Sequence, residues 1–234
     1  MQGLRRSTIK VSTIELRDIW FRYRGSGDWV IRGVDLYIER DKIVVIRGPN
    51  GSGKTTLMKI MSLLYKPIRG SVYVDDVDYW KINNRERHFI KREIVYVHER
   101  PILLRDTVLN NIVYGLKIRG ELSRDSLNEV RDLLERFMIK HLENKKAHEL
   151  SAGQAQLVSI IRALVLHPSF LVMDEPVSNL DRDRKRLLIK VLREYKNRLK
   201  MGLILSLHED ILLKDLEPDD VYRISDGMVL KDQM

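Results

Sequence analysis

The chain has 234 residues, enough for one large α/β domain with a subdomain inserted and too few for two full nucleotide-binding units. Hydrophobic residues make up 44% and charged residues 32%, no apolar run reaches the roughly 18–20 residues of a membrane span, and the absence of cysteine excludes disulfides and thiolate metal sites. The net charge of +9 could mark an anionic partner such as nucleic acid or a lipid surface, but the basic residues are spread along the chain, with modest concentrations at 85–92 and 182–186, as on a solvated surface.

Residues 1–10 are basic with no apolar run behind them, so they do not read as a secretory signal, and a cytoplasmic protein is expected. The first strand signals are the alternation beginning at Ile14 and that of Val34, Leu36 and Ile38. Between them lies Tyr23, an aromatic able to stack on a base or to pack as an ordinary sheet tyrosine. The apolar run Ile43-Val44-Val45-Ile46 then leads into Gly48-Pro49-Asn50-Gly51-Ser52-Gly53-Lys54-Thr55-Thr56, followed by helix-spaced Leu57, Ile60, Met61 and Leu64. Strand, glycine loop and helix in this order make a P-loop. Its glycines let backbone N–H groups converge on phosphate, Lys54 neutralises the β- and γ-phosphates, and Thr55 offers a hydroxyl to Mg²⁺.

Pro67 and Gly70 stop the first helix, and Ser71–Val74 is a short strand ending in the acidic turn Asp75-Asp76. A charged stretch from Asn83 to Arg92 has no assigned element, and Ile94–Val97 is another apolar strand. From about Pro101 to Leu150 helical periodicity dominates, best in Leu127, Val130, Leu134, Phe137 and Met138, which suggests an inserted helical subdomain. Ser151 can cap a helix carrying Leu157, Val158, Ile161, Leu164 and Val165. Phe170–Met173 has the length of a buried parallel strand and ends in Asp174-Glu175, a costly pair there unless it serves a cation or a reacting group. A basic helix over Arg182–Leu199, a strand over Leu203–Leu207 ending at His208, and a hairpin around Asp226-Gly227 complete the chain. Alternating strands and helices predict a mainly parallel sheet covered on both faces.

The phosphate loop, Asp174-Glu175 and His208 all follow apolar strands, so in a parallel sheet they share one edge. Asp174 then holds Mg²⁺, Glu175 orients or deprotonates the attacking water, and His208 contacts the γ-phosphate or that water.

The ordered set of motifs resembles the ATP-binding cassette ATPases over essentially the whole chain. It comprises the phosphate loop at Gly48–Thr56, a signature at Leu150-Ser151-Ala152-Gly153-Gln154, the acidic strand Phe170–Pro176, a D-loop Ser178-Asn179-Leu180-Asp181, and His208 as switch histidine. The resemblance implies an α/β P-loop NTPase fold of the RecA-like kind. A mainly parallel sheet core with an antiparallel β portion, over about 1–100 and 155–234, would carry an inserted α-helical subdomain at about 101–154. It also implies ATP and Mg²⁺ as cofactors, Tyr23 as the adenine-stacking aromatic, and a head-to-tail dimer in which Ser151, Gly153, Gln154 and Asp181 meet the nucleotide of a second copy.

Three positions depart from the family pattern, among them Leu157, which stands where arginine often follows the signature. Ala152 stands where glycine is common, and Glu99 stands where a glutamine usually contacts Mg²⁺ and the attacking water. His98 is the alternative working residue if the register slips by one.

The family likeness implies the ATPase subunit of a membrane transporter, peripheral on the inner face of the cell membrane. Its partners would be a membrane-spanning subunit and, in an importer, a solute-binding protein. Residues 100–120 resemble importers of oxyanions such as tungstate, molybdate or phosphate. The alternative is a soluble cassette ATPase acting on nucleic acid or ribosomes, which the positive charge would suit.

Overall fold

The structure, a computed structural model, describes residues 10–207 and 210–232, with side chains for all of these except 210–212. His208 lies outside the described residues. Strands β1 (Thr13–Phe21), β2 (Ile31–Glu39), β4 (Arg69–Val74) and β5 (Val77–Asp78) form an antiparallel sheet in the order β2-β1-β4-β5. The main sheet runs β10-β9-β3-β8-β7-β6, built from β3 (Ile43–Arg47), β6 (Ile94–Val97), β7 (Phe170–Met173), β8 (Gly202–Ser206), β9 (Asp220–Ser225) and β10 (Met228–Lys231). All its pairs are parallel except the β9–β10 hairpin.

The continuous apolar runs of the central strands follow from burial on both faces. Val44, Ile46, Phe170, Val172 and Ile204 point to one face, where they pack with α1 (Lys54–Met61) and the antiparallel sheet. Val45, Leu171, Met173, Leu203 and Leu205 point to the other. There they meet α3 (Val108–Arg119), α4 (Arg124–Arg136), α5 (Ala152–Leu164) and α6 (Arg182–Leu199). A last helix, α7 (Asp210–Leu216), packs on α6.

The charged stretch after Asn83 is a helix, α2 (Asn84–Glu93). Its start is fixed by the Asn83 side chain, which accepts from Glu86 N at 3.0 Å. Glu93 is its one buried residue, so the stretch carries no apolar stripe to reveal it.

Two side chains hold the helical stretch in place, one within it and one to the rest of the chain. Asn111, fully buried, accepts from Leu104 N at 2.7 Å and donates to the Leu104 and Thr107 carbonyls, which fixes the loop after β6. Glu129 on α4 accepts from His167 Nε2 at 2.8 Å, Tyr195 OH at 2.9 Å and Arg198 Nη2 at 2.6 Å. Burial would raise the Glu129 carboxyl, but its bonds to His167, Arg198 and Tyr195 and the His167 charge hold it at about 2. This stabilisation is fully present above its ordinary value of 4.5 and is lost as pH falls toward about 2. The tie is therefore intact at neutral pH.

Candidate functional site

The loop between β3 and α1 is arranged for an anion. Helices α2 to α6 each begin with a side chain that accepts a first-turn N–H, from Asn83, Thr107, Ser123, Ser151 and Asp181 in turn. Gly53, the N-cap of α1, supplies no such acceptor, so the first-turn N–H groups are left for a ligand. Ser52 beside them is 8% exposed, and its buried hydroxyl has no hydrogen-bond partner among the described residues. A Cβ on Gly48 would lie 2.2 Å from the Ile224 carbonyl oxygen, so only glycine lets the loop close at that point. Lys54 is buried and donates to the carbonyls of Gly48 at 2.8 Å and Pro49 at 3.0 Å, which keeps its charge inside the loop. Pro49, Asn50 and Gly51 form the exposed rim.

Asp174 joins this loop to the neighbouring strand ends. It is 2% exposed and accepts from Thr55 Oγ1 at 2.6 Å, Tyr96 OH at 3.0 Å and Ser206 Oγ at 2.7 Å. Burial first, and then the Asp174 charge, push the Tyr96 phenol upward, so it stays protonated and donates. Among the described residues no group of three His, Asp or Glu side chains could hold a metal ion by itself. One buried carboxylate touching one threonine hydroxyl suits Mg²⁺, which takes one or two protein ligands and completes its shell from phosphate and water.

Glu175 follows with φ 45°, a left-handed conformation that costs a non-glycine residue about 1–2 kcal/mol. Its N–H donates to Ser206 Oγ at 2.7 Å, so one serine orients both acidic residues. Backbone strain of this kind gathers at functional positions. Ser206 and Tyr96 are the participants that sequence reasoning passed over. Each is a polar atom in a buried or half-buried strand, and that is the one local sign of them.

On the other side of the loop Tyr23, 43% exposed, sets its phenol against Thr56 Oγ1 at 2.8 Å. Phe21 and Tyr65 stand edge-on to its ring, with centroids 5.3 and 6.1 Å away. The structure thus brings Tyr23, Thr56, Thr55, Asp174 and Glu175 into one chain of contacts.

The other expected site residues lie outside this chain. Ser151 and Gln154 form a reciprocal capping box on α5, with Gln154 N donating to Ser151 Oγ at 3.3 Å and Ser151 N to Gln154 Oε1 at 3.0 Å. Gly153 presses on the D-loop, since a Cβ there would lie 2.6 Å from the Asn179 carbonyl oxygen. Asp181 caps α6, accepting from Arg184 N at 2.9 Å. Glu99 is exposed just beyond β6, while His98 is half-buried with its ring edge-on to Tyr96 at 4.7 Å. Burial and repulsion from Lys59 and Arg162 push the His98 imidazole below its ordinary value against the pull of Asp174, so it is neutral near pH 7.

A parallel sheet with a glycine loop and an open helix N-terminus at its carboxyl edge defines a P-loop NTPase. The family model described as "ABC transporter" matches residues 31–178, more than half of the chain. The chain belongs to this family, as an ATP-binding ATPase subunit.

It is 34% identical over 203 residues to the tungstate uptake system ATP-binding protein TupC of Peptoclostridium acidaminophilum, covering 87% of each chain. It is 32% identical over 204 residues to the lipoprotein-releasing system ATP-binding protein LolD of Saccharophagus degradans, covering 86% of this chain and 89% of that one. Among solved structures, the dimeric MJ0796, a bacterial ABC transporter cassette, superposes with a TM-score of 0.83 at 26% identity over 94% of this chain and 98% of that one.

Proposed function

We propose that this chain binds Mg²⁺–ATP at the Gly48–Thr56 loop and hydrolyses it in a head-to-tail pair, driving a membrane-spanning partner on the inner face of the cell membrane. The observation that carries the reading is the contact of Thr55 with Asp174. It joins the phosphate loop to a buried carboxylate with Glu175 beside it. Lys54, Ser52 and the first-turn N–H groups of α1 receive the phosphates, and Thr55 and Asp174, joined by Glu99 from the position where glutamine is usual, hold the cation. When bound, Mg²⁺ neutralises charge on the phosphate oxygens. Glu175 acts as general base toward the water that attacks the γ-phosphate, and His208 contacts the γ-phosphate.

The head-to-tail pair follows from the signature. In such a pair Ser151, Gly153 and Gln154 of one copy would meet the nucleotide bound by the other, and the likeness to the dimeric MJ0796 cassette supports the pairing. Support for import of a small anion comes from the likeness to the tungstate uptake relative and, at 30% identity, to a phosphonates import ATP-binding protein. An importer of that kind would also work with a solute-binding protein. Among the described residues no helix is long and apolar enough to cross a membrane, so the transmembrane path belongs to the partner. Affinity purification of the tagged chain from detergent-solubilised source membranes is expected to retain a multi-span membrane protein. Recovery of the chain with salt-sensitive nucleic acid and no membrane protein would contradict this reading.

Glu99 brings a full negative charge where glutamine is usual, and it strengthens the hold on the cation. Replacing Glu99 with Gln is expected to raise the Mg²⁺ concentration for half-maximal hydrolysis roughly threefold to tenfold. An unchanged Mg²⁺ titration and rate would make Glu99 an ordinary surface carboxylate.

A further inference from the structure

A flat ring is all that stacking on a base requires, and phenylalanine would serve. An exposed tyrosine ordinarily keeps its ring on apolar surface and its hydroxyl in water. The Tyr23 hydroxyl does not follow this pattern. The residue is 43% exposed, yet its hydroxyl turns inward onto Thr56, a residue 3% exposed in the first turn of α1. Phe21 and Tyr65, stacked on each other at 5.4 Å and 10°, form the wall that holds the ring upright.

Thr56 has one hydroxyl proton and two acceptor lone pairs. A threonine inside a helix commonly donates that proton to a carbonyl one turn back. Among the described residues the Thr56 hydroxyl has Tyr23 OH as its one partner, at 2.8 Å. If Tyr23 donates, the Thr56 proton remains available for a further acceptor, and Thr56 stands in the first turn of α1, the helix whose start no side chain caps.

We propose that Tyr23 is a positioning residue for the phosphates as well as a platform for the base. Its hydroxyl donates to Thr56 Oγ1 and aims the Thr56 O–H at a phosphate oxygen. The inference rests on the nucleotide reading of the loop and adds a role that belongs to the hydroxyl alone. Because that role concerns phosphate, it is indifferent to which base sits on the ring.

Calorimetric titration of the intact chain with MgATP and MgGTP tests it in the wild type, Tyr23→Phe, Thr56→Val, Thr56→Ser and the double variant Tyr23→Phe/Thr56→Val. Tyr23→Phe is expected to weaken both nucleotides by the same factor, roughly three- to tenfold, as for one lost hydrogen bond. Thr56→Val loses at least as much, the double variant loses no more than Thr56→Val, and Thr56→Ser restores most of the affinity. Melting temperatures without nucleotide show whether the variants fold.

Unchanged affinity in Tyr23→Phe, tighter binding, additive losses, or a loss confined to the adenine nucleotide would each overturn the proposal. Tighter binding would mark the contact as a lock on the nucleotide-free loop. A wild type that binds neither nucleotide would remove the nucleotide reading itself and this proposal with it.

Discussion

Glu175→Gln is expected to lower ATP turnover by at least about a hundredfold while leaving MgATP affinity within about twofold, the loss typical of a missing general base. The site separates the two effects. The proposed receivers of the phosphates are Lys54, held by the Gly48 and Pro49 carbonyls, Ser52 and the α1 N-terminus, whereas the role proposed for Glu175 is toward the attacking water. Glu175 is placed instead by its backbone, with φ 45° and an N–H donating to Ser206. Glutamine is isosteric and keeps that placement, but its amide cannot take a proton from water at neutral pH. Phosphate release at saturating MgATP, beside a nucleotide titration of the same preparation, reads both quantities. Equal turnover in the two proteins would remove Glu175 from the chemistry.

Asp174→Ala has the largest expected effect on stability. The carboxylate is 2% exposed and is the shared acceptor for Thr55, Tyr96 and Ser206. Without it three hydroxyls crowd a buried space with no acceptor, and the cost is roughly 3–5 kcal/mol. In a chain of this length that lowers the melting temperature by roughly 10 °C. Asp174→Asn keeps an acceptor oxygen and so loses much less stability. It also loses the charge, and its hydrolysis is expected to require far more Mg²⁺. A melting temperature within about 2 °C of the wild type in Asp174→Ala would show that the three hydroxyl bonds do not hold these strand ends together.

The parts of the fold legible in the sequence are those with short-range physical causes. The P-loop is a contiguous string whose glycines answer to local geometry, such as the 2.2 Å approach that a Cβ on Gly48 would make to Ile224 O. The apolar strands announce themselves because both faces of the main sheet are covered, and the basic helix 182–199 has a cap and an apolar stripe within its own length. Helix α2 was not legible, because it buries little beyond Glu93 and its Asn83 cap lies in a stretch read as charge.

The site divides in the same way. Asp174 and Glu175 were legible as an unusual acidic pair after a buried strand. Ser206, which orients both, sits 32 residues from Asp174 and looks like a break in an apolar run until β7 and β8 are paired. Tyr96 is 78 residues from Asp174 and is hidden similarly. The Glu129 tie joins residues 38 to 69 positions away, with no local pattern to mark it. The Tyr23 ring could be proposed as a platform from its type and place, whereas the inward turn of its hydroxyl is a property of the folded chain.

In the proposed head-to-tail pair Ser151, Gly153 and Gln154 of one copy meet the nucleotide of the other. Light scattering of Glu175→Gln during size-exclusion chromatography, with MgATP and then with MgADP, measures this directly. Twice the mass of one chain is expected with MgATP and the mass of a single chain with MgADP. A single-chain mass in both, with nucleotide binding intact, would contradict it.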